Sequence, residues 1–279
     1  MLPPVVGRFV AGEHPAVALD HVRRTNERGV KVVLNHLGEH HIERPEAAED
    51  ADLYERLLAD LDGSDLQACV SVKPTQLGLA MRESVFRHNL GRVVDAAVEH
   101  DNFVWLDMED HTTTDATLDA FEHHARETGG RVGVCLQANL RRTPADLDRL
   151  ADVPGKIRLV KGAYDEPADI AYTRASSVNE AYREDLEFLF QEYAGGIAVG
   201  THDPAMLVAA EEFAETYGRA YEIQMLMGVR ESAQRELAAA GREVWQYAPF
   251  GARWPSYVWR RVRERRENLA FALRAVAGV

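Results

Sequence analysis

Apolar residues along the chain fall into two alternating patterns. Short runs recur at KVVLNHL (31–37), QACVSVK (67–73), FVWLDM (103–108), RVGVCLQ (131–137), KIRLVKG (156–162), GIAVGTH (196–202), AYEIQML (220–226) and EVWQYAP (243–249). Most are rich in Val, Ile and Leu, as parallel strands covered on both faces must be. Between them lie longer stretches of helical periodicity: ADLYERLLADL, ESVFRHNLGRVVDAAVEH, TLDAFEHHARE, SVNEAYREDLEFLFQEY, DPAMLVAAEEFAETYG and RESAQRELAAAG. Several open on Asp, Ser or Thr and close near Gly, the chemistry of helix caps. One further helix-like segment, from His14 to Gly29, precedes the first run.

Eight strand–helix units in roughly 250 residues match the size and count of a (β/α)8 TIM-like barrel, an α/β fold. An open doubly wound sheet is the alternative, but no GxGxxG follows the first strand. No low-complexity linker divides the chain, so a single domain is expected over 1–279, with 1–30 as a helical lead-in. In this barrel the chemistry sits at the C-terminal ends of the strands. Those ends carry Lys73, Asp107-Met108-Glu109, Gln137, Lys161-Gly162, Thr201-His202, Gln224 and Tyr247. Polar, donor-rich residues therefore gather where a barrel places its site.

Composition narrows the function classes. The formal net charge is −13, with four lysines against 28 arginines. A global negative field opposes non-specific nucleic-acid binding, which depends on many phosphate contacts. The two cysteines, Cys69 and Cys135, lie in separate apolar runs and read as buried thiols, with no metal set or disulfide framework. No apolar run approaches the roughly 20 residues that cross a bilayer, and MLPPVVGRFVAGE lacks a basic-then-apolar signal pattern. The expectation is a cytoplasmic protein.

Against this acidic background, YVWRRVRERREN packs five arginines into residues 260–266. As a helix, Tyr257, Arg260, Arg261, Glu264 and Asn268 share one face, while Val258, Val262, Leu269 and Leu273 form a packing stripe. Two adjacent guanidiniums repel unless an anion shares them. Arg260 and Glu264, at i,i+4, relieve one of them; a ligand carboxylate accepting bidentate bonds would satisfy Arg261. Geometry alone leaves surface ion pairs and carboxylate binding both open. Elsewhere, HLGEHHIE offers His36, His40 and His41 beside Glu39, but Gly38 just after a strand breaks helical spacing. That stretch reads as a polar loop, not a metal site.

Taken together and in order, SVKPTQLGL (71–79), DMED (107–110), RLVKGAYDEP (158–167), GTHDP (200–204), YEIQMLMG (221–228) and YAPFG followed by YVWRRVRERREN resemble the motifs of proline dehydrogenase. The resemblance runs from about residue 8 to the C-terminus. It implies a monofunctional flavoenzyme barrel that oxidises L-proline to Δ1-pyrroline-5-carboxylate by hydride transfer to FAD. Electrons would pass to a quinone, which implies peripheral membrane contact. A separate pyrroline-5-carboxylate dehydrogenase would be a partner. The last helix would sit over the strand ends.

Position by position, the resemblance implies catalytic roles for Asp107 and for Arg158 near flavin N5. Lys73, Tyr247, Arg260, Arg261 and Glu264 would bind the substrate, the arginine pair holding its carboxylate. Met108, Gln137, Lys161, Gly162, Ala163, Thr201 and His202 would contact the cofactor. Lys73 and Asp107 are expected to form a charged pair that positions the substrate ring. The sequence departs from the family pattern at Asn35, where related chains commonly carry aspartate, and in its short N-terminal portion. A hydroxyproline dehydrogenase, a methylenetetrahydrofolate-reductase-like barrel and a non-catalytic flavin or proline binder are the alternatives.

Overall fold

The computed structural model describes residues 6–255. Helix α1 (Pro15–Asn26) leads in, burying Ala18, Val22 and Thr25. The strands are β1 (Lys31–His36), β2 (Ala68–Val72), β3 (Val104–Leu106), β4 (Val132–Gln137), β5 (Lys156–Val160), β6 (Gly196–Gly200), β7 (Glu222–Leu226) and β8 (Val244–Phe250). The helices between them are α2 (Arg44–Asp62), α3 (Glu83–Glu99), α4 (Thr114–Glu127), α5 (Thr143–Leu150), α6 (Ala175–Gln191), α7 (Pro204–Tyr217) and α8 (Glu231–Ala239). All neighbouring strands are parallel, and β8 closes on β1 from Lys31↔Trp245 to His36↔Phe250. This is the closed barrel that the alternation of patterns predicts.

The expected strands are found within a few residues of their bounds. Helix α5 was not expected. It spans eight residues of TPADLDRL and buries only Leu147 and Leu150 of its apolar kind, too short a repeat for periodicity to register. Of the expected caps, α7 carries the clear case: Asp203 accepts from Ala205 N at 2.9 Å, and Gly218 ends the helix at φ 66°. Helices α3, α4 and α6 begin without a side-chain cap bond.

Alternation along the strands sorts side chains into two shells. Val32, Leu34, Val70, Val72, Val104 and Leu106 face outward and pack with Tyr54, Leu57, Phe86 and Phe121 of the helices. Val33, Cys69, Trp105 and Ala198 form the inner cluster, with Phe103, Trp245 and Tyr247 against it. Both cysteines are buried free thiols. The floor of the barrel, at the N-terminal strand ends, is closed by ion pairs. Lys31 meets Glu243 at 2.7 Å, and Lys156 meets Glu222 at 2.5 Å. Both lysines lie over the Trp245 ring, at 5.1 and 6.0 Å. No helix among the described residues is long and apolar enough to cross a membrane.

One of the buried acids outside the barrel carries an unpartnered oxygen. Asp185 on α6 is 3% exposed, and its Oδ2 has no hydrogen-bond partner among the described residues. Burial, aided by the charge of Glu184, pushes its carboxyl up to about 7. An acid whose folded pKa is raised stabilises the fold least when ionised, so stability is lost as pH rises from about 4, its unfolded value, through 7. Replacing Asp185 with Asn removes that penalty. Differential scanning calorimetry is expected to show Asp185→Asn more stable than the parent by roughly 2 kcal/mol at pH 8, and equal to it at pH 4.

Candidate active site

The C-terminal strand ends converge on one carboxylate. Asp107, just past β3, accepts from Ser71 Oγ at 2.6 Å, from Tyr247 OH at 2.6 Å and from Arg158 Nη2. Burial works to raise its pKa, but the charges of Arg158 and Lys73 and the bonds from Ser71 and Tyr247 outweigh it. The carboxyl is held below its ordinary value and stays ionised. Tyr247 moves the other way: burial and the adjacent Asp107 charge lift its phenol well above the usual range, so it remains a donor.

Arg158 reaches Asp107 from the inner face of β5. Its Nη1 donates to Gln224 Oε1 at 2.9 Å, and its guanidinium lies over Trp105 at 5.0 Å and Tyr247 at 5.5 Å. Flanking aromatic faces and two acceptors hold the cation in place. Asp107 therefore pairs with Arg158, not with Lys73 as expected from the sequence. Lys73 is half-buried; among the described residues its ammonium makes no hydrogen bond, and it acts on Asp107 and Glu109 through charge.

Glu109 lies fully buried beside this centre, accepting from Thr75 N and Thr75 Oγ1, both at 2.7 Å. Burial raises its carboxyl above the usual value, against the opposing effects of Lys73 and Thr75. Potential ligand atoms of Glu39, His40 and Glu109 lie within 4.8 Å of one another, with the Lys73 charge close by. His40 sits at φ 55°, so helical spacing from His36 does not hold.

The remaining rim residues form a second group along β4, β5 and β6. Gln137 donates to Glu109 O at 2.9 Å and accepts from Ala163 N at 3.2 Å, tying two loops together. Lys161 donates to Asn179 Oδ1 at 2.5 Å and Asp203 Oδ2 at 2.6 Å. Gly162 adopts φ 123°, and a Cβ there would fall 2.1 Å from Asn139 Oδ1. Thr201 is buried and accepts from Asp203 N at 3.2 Å. His202 Nε2 accepts from Leu226 N at 3.1 Å, which leaves the ring proton on Nδ1. Met108 is buried next to Asp107. Arg260, Arg261 and Glu264 lie outside the described residues.

Sequence reasoning missed several partners. Ser71 and Glu222 are inward by strand parity, two positions before Lys73 and Gln224, and parity would have found them. The Asp50 cluster carries no such signal. Asp50 meets His36 Nδ1 at 3.0 Å, His41 Nε2 at 2.7 Å and Gln76 Nε2 at 2.9 Å. It ties the end of β1 and the following loop to α2 and to the loop after β2. Glu166 was also missed; it accepts from His111 N at 2.9 Å and His111 Nδ1 at 2.5 Å, joining the loops after β3 and β5.

A closed parallel barrel with a buried carboxylate–guanidinium pair under its mouth and a ring of polar groups around it is built as an enzyme scaffold. A profile for proline dehydrogenase matches residues 18–274. Proline dehydrogenase of Deinococcus radiodurans is 35% identical, covering 96% of this chain and 89% of its own length. Proline dehydrogenase 2 of Bacillus subtilis is 32% identical, covering 97% and 89%. The chain belongs to the proline dehydrogenase family. Among solved structures, proline utilization A of Bdellovibrio bacteriovorus, inactivated by N-propargylglycine, superposes with a TM-score of 0.85 at 24% identity over 92% of this chain. Proline utilization A of Corynebacterium freiburgense gives 0.82 at 22% identity over 93%. This chain spans about a third of those longer chains, 32% and 31%, and the likeness to them is one of fold.

Removing one member of a buried ion pair leaves its partner uncompensated. Asp107→Asn is therefore expected to lower folding stability by about 3–5 kcal/mol, read from urea unfolding at pH 7. The loss should shrink as pH falls through the depressed Asp107 pKa, because the parent carboxylate is then protonated as well.

Proposed function

We propose that this chain oxidises L-proline to Δ1-pyrroline-5-carboxylate with FAD as its cofactor. The observation that carries this reading is the Asp107–Arg158 pair, locked by Tyr247 and Ser71 beneath the C-terminal mouth of the barrel. Family membership supplies the substrate class; the residues supply the roles. FAD, when bound, supplies the hydride acceptor. Met108, Gln137, Lys161, Gly162, Ala163, Thr201 and His202 would hold it. Local structure favours such a group: Asn139 Oδ1 is buried with no partner among the described residues, beside a glycine that tolerates no side chain.

Asp107 does not serve as a base in this scheme. Three donors and a lowered pKa make it a fixed anion that orients Arg158. Arg158, so held, would supply positive charge that favours the reduced cofactor, and a preorganised charge needs no rearrangement during reaction. Lys73 and Tyr247 line the substrate side. Arg260 and Arg261, with Glu264 beside them, would hold the substrate carboxylate by bidentate bonds and fix which ring carbon faces the cofactor. The electron acceptor proposed is a quinone, reached by peripheral contact with a membrane from the cytoplasm. The product would pass to a separate pyrroline-5-carboxylate dehydrogenase.

Purified protein is expected to be yellow and to bleach on anaerobic addition of proline. Colourless protein that takes up no FAD would refute the assignment. Arg261→Met is expected to lower kcat/KM for proline by about 2–4 kcal/mol in transition-state terms, mostly through KM, with flavin still bound. An unchanged KM in steady-state assays removes the carboxylate role.

A further inference from the structure

We infer that Glu222 is a positioning residue: through the amide of Gln224 it fixes where the guanidinium of Arg158 points inside the barrel. The inference rests on the role given to Arg158 under the proposed function.

Three adjacent strands supply the parts. Lys156 and Arg158 stand two residues apart on β5, and Glu222 and Gln224 two residues apart on β7. Strand β6 lies between and pairs with both. Its inward positions, Gly196, Ala198 and Gly200, carry almost no side chain. A Cβ at Gly196 would come within 2.8 Å of Lys156 Cγ, and one at Gly200 within 3.2 Å of Arg158 Cγ. The β5 side chains thus lie across β6 and find acceptors on β7. Lys156 Nζ meets Glu222 Oε2 at 2.5 Å, and Arg158 Nη1 meets Gln224 Oε1 at 2.9 Å. Gln224 Nε2 donates to Glu222 Oε1 at 2.7 Å and closes the circuit.

Donor and acceptor chemistry gives this circuit one polarity. A guanidinium only donates, and a carboxylate only accepts. An amide between them must turn its oxygen to Arg158 and its nitrogen to Glu222. Glu222 and Gln224 are each 4% exposed and Arg158 is 5% exposed, so bulk water does not compete for these bonds. Beyond Arg158 stands Asp107, which follows β3, four strands from β7 around the barrel. The guanidinium is therefore held between acceptors on opposite walls. Neither Glu222 nor Lys156 reaches the mouth. Their influence on the reaction passes through Gln224.

The test uses two variants of the flavin-loaded protein. Glu222→Gln alone leaves Lys156 without its counter-ion and can fail to fold. Lys156→Met combined with Glu222→Leu removes both charges and leaves Gln224 Nε2 without an acceptor at position 222. In the double variant the expected result is a melting temperature near that of the parent and a proline KM changed by less than about twofold. The same variant should show kcat reduced by about a hundredfold and a more negative flavin midpoint potential. Its crystal structure should show Gln224 parted from Arg158. A double variant with parental kcat, parental potential and Arg158 unmoved overturns the inference and leaves Glu222 a folding residue. Parent protein that does not bleach with proline refutes the reaction assignment instead. The crystallographic position of Arg158 in the variant decides the positioning role separately.

Discussion

Asp107 and Arg158 form an ion pair withdrawn almost wholly from water inside a ring of backbone, and that burial dictates what surrounds them. Removing two charges from solvent costs several kcal/mol for each ion. The cost is offset only when the leftover hydrogen-bonding capacity is met, and here Ser71, Tyr247 and Gln224 meet it. The aromatic faces of Trp105 and Tyr247 cover the cation. Reduced side chains on β6 give Arg158 the space to cross. The barrel interior is consequently a polar lattice with one handedness of donors, wrapped in an apolar shell that packs the helices.

The four lysines fit the same logic. Lys31 and Lys156 stand at the first residues of β1 and β5, and Lys73 and Lys161 just beyond the last residues of β2 and β5. All four ring the two openings of the barrel. Arginine handles the outer surface, where its fork bridges pairs of carboxylates: Arg92 with Asp52 and Glu55, Arg142 with Asp115 and Asp146, Arg149 with Asp119 and Glu122.

How much of this was legible in the sequence depends on the range of the interaction. Strand existence and order could be read because apolar runs repeat at regular intervals, and the strand ends named the rim residues directly. Helix α5 was not, since two apolar residues define no period. The Lys73–Asp107 pair was expected from the family resemblance. Strand parity argues otherwise, because it puts Arg158 inside the barrel with its charge unmet, and Asp107 is the anion within its reach. Glu222 is legible in the same way, as a polar residue alternating with apolar ones in EIQML. Asp50 is not, because its two histidines and Gln76 meet it only after the loops around β1 and β2 have folded.

Asp203 serves two neighbouring units at once. One oxygen caps the first turn of α7 and the other accepts from Lys161, which belongs to the preceding β5 unit. The seam between those units is therefore stitched electrostatically as well as by the strand ladder. Were the backbone severed between α6 and β6, the cap and its counter-ion would reside on different fragments. Their recombination into a complete ring would then weaken with added electrolyte, since a half-exposed pair is open to screening by mobile ions.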